Sequence, residues 1–414
     1  VLAVAPEFSE NARDDSLEAT IPEDIEVHRV RAVPVAFTRR MRIGNLALRS
    51  YPFLRARGSE LLSSGSFDLI FFSTSLFPIL SLGPVWRKRF GIPYVLDFQD
   101  PWLTDYYNES ALTPPGGKLK YALSNVLARA LEPRVVSEAA HIVVVSPAYP
   151  DLLRARYPEL NGKGFTVLPF AASETDFDLA RASKINHDVF VPNDGLIHWV
   201  YAGVVGAIME KSLRAFFLAL QSRLRSEPQL RNRLKIHFVG TDYAEAARAR
   251  KSVEPIAAEF GLEGMVEERT NRLPFLTTLK LLSDADALLI FGSDDPSYTA
   301  SKLFPYILAR KPLLVIAHEK SSMCDIVRRT RAGILVTFNG EESVAEFAGR
   351  IESQWLENQP ATAAIDWKEF ERYTARSMTA SLCSVFNNAI FRPSEMMAQR
   401  LAGSVGCFVK QEKR

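Results

Sequence analysis

The stretch YTASKLFPYILARKPLLVI, residues 298–316, sets a small polar cluster holding one lysine directly before an apolar helix, a Lys-Pro stop and a buried strand. Proline fits the first turn of a helix, but further in it removes a hydrogen bond and clashes with the preceding turn. Pro305 therefore places the helix start within residues 301–304. The helix runs through Tyr306, Ile307 and Leu308, ends at Arg310 and Lys311, and yields at Pro312 to an apolar run of strand length, residues 313–317. Thr299, Ser301 and Lys302 then sit at a helix N-terminus, where unsatisfied N–H groups and a partial positive charge suit phosphate. A second reading stays open, in which Ser301 or Thr299 only caps the helix and Lys302 points into water.

Working outward, strand-like and helix-like segments alternate. DIEVHRVRAV, FDLIFFSTS, YVLDFQD, HIVVVSP and TVLPF read as strands in the first half, with LALRSYPFLRARGSELLSS and residues 117–139 as helices. After a polar, irregular stretch at 171–195, read as a linker, a second series follows: IHWVYAG, LKIHFVG, MVEERT, ADALLIFGS, PLLVIA and GILVTF. This order predicts two tandem α/β domains built on parallel sheets, over residues 1–185 and 186–365. In such sheets ligands bind beyond the carboxyl ends of the strands. Residues 366–390 read as one terminal helix packing back on the first domain, and 391–414 as a partly disordered tail.

Composition agrees with a two-domain globular chain: 414 residues, 47% hydrophobic and 24% charged. A formal net charge of +2 implies no global field for nucleic acid. Cys324, Cys383 and Cys407 lie far apart without a CxxC pair, which argues against a zinc site or a disulfide framework and fits a reducing cytoplasm. The uncharged window at 69–86 is broken by Ser73, Thr74, Ser75, Pro78, Gly83 and Pro84, so a strand and a turn are expected there rather than a membrane span.

Between Val27 and Ser59 stand Arg29, Arg31, Arg39, Arg40, Arg42, Arg49, Arg55 and Arg57, with apolar residues interleaved and no acid. Peripheral contact of segment 29–57 with anionic lipid is one reading, and a solvated basic face paired with acids elsewhere is the other. No nucleic-acid motif accompanies the charge. GxGxxG after a strand, GxxxxGK[ST], HExxH and GxSxG are all missing, and His198 and His237 fall inside strand patterns, where a satisfied core or edge histidine is expected.

Read together, SKLFPYILARKPLLVI, GIPYVLDFQDPW (91–102), HIVVVSPAY (141–149), YAGVVG (201–206) and DADALLIFGS (284–293) resemble glycosyltransferase family 4 proteins of the GT-B fold. The resemblance spans residues 1 to about 390. It implies two Rossmann-like, doubly wound domains facing a cleft, the first acceptor-side and the second nucleotide-sugar-binding. It also implies that the strand-helix unit expected before VLAVAP is missing. The activity implied is transfer of a sugar from a nucleotide diphosphate sugar to a glycan or lipid-linked acceptor, with retention and with neither metal nor cofactor, in the cytoplasm or at the inner membrane face.

On the donor side the resemblance assigns Lys302, with Ser301 and Thr299, to the diphosphate. Gly203 and Gly206 would allow close backbone approach, an ordinary tight turn being the alternative for both, and Lys211 stands near a phosphate-binding lysine of the family. On the acceptor side, Asp97 and Asp100 of DFQDPW are candidates to orient or deprotonate a hydroxyl, with Gln99 where many relatives have histidine and with Ser73 and Thr74 nearby. Capping of the following turn is the alternative for both aspartates. Two departures bear on donor binding: the family's Glu-x7-Glu pair reads Ser297 and Pro305 here, and Val204 follows Gly203 where an arginine is usual. A sugar-nucleotide epimerase or a non-catalytic binding protein on the same fold are the competing functions.

Overall fold

Twelve strands form three sheets in the computed structural model, which describes residues 1–8, 14–18, 20–38, 44–103, 117–183, 185–242, 249–295, 298, 300–358 and 362–405. In chain order they are β1 (Leu2–Val4), β2 (His28–Val30), β3 (Ile70–Ser73), β4 (Tyr94–Phe98), β5 (His141–Val144), β6 (Phe165–Val167), β7 (Ile197–Ala202), β8 (Leu234–Val239), β9 (Val266–Arg269), β10 (Ala287–Phe291), β11 (Leu313–His318) and β12 (Ile334–Phe338). Each overlaps a segment whose apolar run reads as a strand, and every pairing is parallel. The window at 69–86 resolves into β3, a 3-10 turn at Phe77–Ser81 and a helix at Leu82–Phe90. No described helix is long and apolar enough to cross a membrane.

The chain divides into two compact units: residues 1–9, 26–168 and 379–414 in the first, 10–25 and 169–378 in the second. In the first unit, β1 pairs β2 in a small sheet, and a four-stranded sheet runs in the order β3-β4-β5-β6. Val95 and Val143 on one face of that sheet pack against Val385 and Ala389 of the long C-terminal helix Ala375–Val405. Elsewhere in the unit Trp86 stacks on Phe72, and the Tyr94 hydroxyl donates to the Val135 carbonyl.

The second unit holds a six-stranded sheet in the order β12-β11-β10-β7-β8-β9. Both its faces are buried, which is why its strands read as continuous apolar runs rather than alternating ones. Val200, Leu288 and Val315 face one core, while Tyr201, Phe238 and Phe291 face the other. Chain order runs outward from β7 to β9 on one side and from β10 to β12 on the other. The β7/β10 boundary is therefore the topological switch point, where a crevice opens beyond the strand ends.

Two boundaries differ from the sequence expectation. The division falls at 168/169 rather than at 185, because Phe177 and Ala180 of the helix Glu174–Ala182 bury into the second unit's core. The expected single helix over 366–390 is broken at Thr374, whose extended backbone bridges Ala172 and whose hydroxyl accepts from Ser377 N–H. Phe370 and Tyr373, before the break, belong to the second core. After it the helix continues without interruption through the tail's start to Val405.

Candidate functional site

The helix inferred from Pro305 forms at Leu303–Leu308, with Lys302 at its N-cap position and no side-chain cap. At six residues it is too short to supply much dipole, so the strength of this site lies in the lysine itself. Tyr306 fixes the helix to the end of β7: its hydroxyl accepts from Ala202 N–H at 2.6 Å and donates to Ala202 O at 3.2 Å. That staple brings Lys302 to the turn after β7. Its ammonium donates to the Tyr201 hydroxyl at 2.5 Å and lies 4.0 Å from that ring's centroid.

Gly203 completes the arrangement. Its φ of +142° disfavours any side chain, and a Cβ there would lie 2.6 Å from Lys302 Nζ. The lysine thus occupies the space that glycine leaves open. The residue is half-buried, with its ammonium end set against the Tyr201 ring and the Gly203 backbone. Burial, with Arg272 adding to it, pushes its pKa down from 10.5 to about 7. Among the described residues Lys302 makes no ion pair, so the ammonium is desolvated without an anion beside it.

The other donor-side candidates fare differently. Ser301 is exposed. Thr299 and Ser297 lie outside the described residues. Gly206 has an ordinary φ of −101° and room for a Cβ, whose first contact would be Ile208 at 3.6 Å, so neither conformation nor space demands glycine there. Lys211, in the first turn of the helix Glu210–Ser226, donates to Gly340 O at 2.5 Å beyond β12. It is drawn toward that edge of the sheet, near Asp294 and His318. Burial pushes the Asp294 carboxyl up although the residue is exposed, and Lys211 and then His318 oppose the shift.

In the first unit the parallel register sets Ser73 opposite Asp97. The Ser73 hydroxyl donates to Asp97 Oδ2 at 2.7 Å, and Gln99 Nε2 donates to both Asp97 Oδ2 and Ser73 Oγ at 3.1 Å. Three of the acceptor-side candidates therefore form one network at the carboxyl ends of β3 and β4. Asp100 stands apart and exposed, its carboxyl pushed up by burial among neighbouring groups. Thr74 does turn work instead, its hydroxyl accepting from Leu76 N–H.

Tyr201 and Arg272 escaped the sequence reading. The tyrosine does precede the glycine in YAG, but nothing local marks it as a partner of a lysine 101 positions away. The basic segment also reads differently in three dimensions. Arg49 is buried and donates to Val33 O and Phe8 O, and Arg57 pairs with Glu60 and reaches His28, while Arg39, Arg40 and Arg42 lie outside the described residues. His198 and His237 are core histidines joined at 2.9 Å. Among the described residues no group of three or more His, Cys, Asp or Glu side chains could hold a metal ion.

Residues 1–161 match the family described as glycosyl transferase 4-like domain. No curated protein matches the chain. Among solved structures, the N-terminal domain of Candida albicans trehalose-6-phosphate phosphatase is 14% identical with a TM-score of 0.59, over 90% of this chain and 86% of that one. A UDP-forming trehalose-phosphate synthase of Burkholderia xenovorans is 12% identical with a TM-score of 0.56, over 85% and 80%. Anabaena Alr3699/HepE, solved with UDP and glucose, is 15% identical with a TM-score of 0.55, over 90% and 88%. The chain thus has the GT-B fold, and the family match is confined to residues 1–161.

Proposed function

We propose that this protein transfers a glycosyl group from a nucleotide diphosphate sugar to a glycan or lipid-linked acceptor, with Lys302 and Arg272 taking the diphosphate. The observation that carries the reading is the Lys302 ammonium, desolvated beneath Gly203 at the end of β7, beside the topological switch point and without an anionic partner among the described residues. A cation held in that state gains most from an anion that arrives and then accumulates charge, as a departing nucleoside diphosphate does. Two cations supply the charge that such a leaving group requires, which supports transfer without a bound metal. That Alr3699/HepE was solved with UDP-glucose supports the donor class.

Asp97 is the acceptor-side group we favour over Asp100. Hydrogen bonds from Ser73 and Gln99 hold one of its oxygens and leave the other to meet an incoming hydroxyl. Retention of configuration is the outcome that the resemblance to family 4 implies. Pro305 carries no side-chain acceptor for a ribose hydroxyl, so the ribose contact falls to other groups in this chain.

Thermal stabilisation by a panel of nucleoside diphosphates tests the reading. One nucleotide should raise the melting temperature in proportion to affinity and concentration, and Lys302→Ala should abolish that rise. A folded protein that responds to none of them would transfer the assignment to a non-catalytic binding role. Nucleotide binding with epimerised free sugar nucleotide, and no transfer to any acceptor, would assign an epimerase.

A further inference from the structure

The helix Lys118–Glu138 is apolar on two opposite faces, and only one of them is covered. Ala128, Glu132 and Val135 are buried on the inner side. Leu119, Leu123 and Val126 point the other way and stand 62%, 63% and 67% exposed. At about 100° per residue, these three together with the exposed Ala122 and Ala130 fall within one arc of about 100°, centred opposite Ala128. Lys120 lies on one margin of that arc, and Lys118 and Arg129 lie on the other, all three exposed. From Gly117 to Leu131 there is no acidic residue, and the first one, Glu132, is buried.

We propose that this outer face is a lipid-docking surface, on which the N-terminal half of the helix lies flat in the headgroup region of an anionic bilayer. Solvent-exposed helix faces normally carry charge, so three large aliphatic side chains in register need a cover. The flanking pattern selects what covers them. An apolar stripe edged on both sides by cations, with no acid between, complements a surface that is apolar inside and negatively charged at its rim. The helix is not apolar enough to span, so it rests on the bilayer. This surface is distinct from segment 29–57, whose Arg49 and Arg57 are engaged within the protein. Lipid binding needs neither nucleotide nor catalysis, so this inference stands or falls apart from the donor assignment.

Sedimentation of the full chain with phosphatidylcholine vesicles, and with the same vesicles containing phosphatidylglycerol, tests it. The expected result is cosedimentation with the anionic vesicles that weakens with added salt. Lys118→Glu/Lys120→Glu should lower the partition coefficient at least about tenfold. Leu119→Ser/Leu123→Ser/Val126→Ser should do the same with only a small drop in melting temperature, because most of each replaced side chain is already in water. Arg29→Glu/Arg31→Glu serves as the comparison and should leave most of the binding. No binding to anionic vesicles by the wild type overturns the proposal. So does binding that survives the triple serine change, or that is lost only in the Arg29/Arg31 variant. A triple variant that abolishes a dimer in sedimentation velocity, while vesicle binding persists, would assign the face to a second copy of the chain.

Discussion

Replacing Lys302 by methionine keeps most of the stem that packs under Gly203 and removes the charge, and the expected outcome is a more stable protein that no longer answers to nucleotide. The folded lysine has a pKa of about 7 against 10.5 for the free side chain. At about 1.4 kcal/mol for each pH unit between those values, the charged form destabilises the fold by at most about 5 kcal/mol. Because part of the side chain faces solvent and a lysine can relax toward it, roughly 2 kcal/mol is the working expectation. The sign with pH is fixed. Below about pH 7 the lysine is protonated both folded and unfolded, so the variant's advantage is full and flat. Between pH 7 and 10.5 the unfolded chain binds the extra proton, so wild-type stability climbs relative to the variant and the advantage shrinks. Scanning calorimetry of both proteins at pH 6.5, 8 and 9.5, with and without the stabilising nucleotide, reads the offset directly, since every other group titrates alike in the two. A variant less stable than wild type, or an offset that ignores pH, would refute the picture of a desolvated, unpaired ammonium. Gain of stability with loss of ligand response is the pattern of a group kept for function at the expense of the fold.

Other outcomes are as specific. Gly203→Ala should force Lys302 aside and strain a φ of +142°, costing about 1–3 kcal/mol and weakening nucleotide binding; equilibrium denaturation and titration by fluorescence measure both, and an unchanged affinity would separate the glycine from the lysine's placement. Asp97→Asn should cut kcat by about 100-fold or more with little change in donor affinity, whereas Asp100→Asn should do less; steady-state kinetics with the identified donor ranks them, and the reverse order would move the acceptor-side role outward. His237, buried beside His198, has its pKa pushed down to about 3, mainly by burial. The unfolded chain takes up that proton first, so stability should fall as the pH drops from 6.5 toward 3, and His237→Phe should flatten melting curves in that window.

Much of the fold was legible because its signals are local. Strand runs such as ALLIF and LLVIAH are buried along their whole length and announce a sheet covered on both faces. Pro305 bounded a helix start to within a residue or two, since proline's constraint acts over one turn. The break at Thr374 was hidden because apolar residues on both sides keep helical spacing, and only the bridge to Ala172 interrupts them. Of the candidate site residues, Lys302 with Gly203, and Ser73 with Asp97 and Gln99, were brought together. Lys211 and Thr74 were taken up by neighbouring backbone, a fate that residue type alone does not reveal.

The sequence by itself determined the alternation of elements, the place of the polar cluster before a short helix, and the resemblance in motif order that named a fold. All of these rest on periodicity, proline geometry and spacing along one chain. Only the tertiary structure decided that Tyr201 and Arg272 attend Lys302, that Arg49 is buried while Leu119, Leu123 and Val126 are not, and that the lysine is desolvated. Periodicity shows that a helix has an apolar face but not which face the fold covers, and a pKa depends on neighbours that arrive from a hundred residues away.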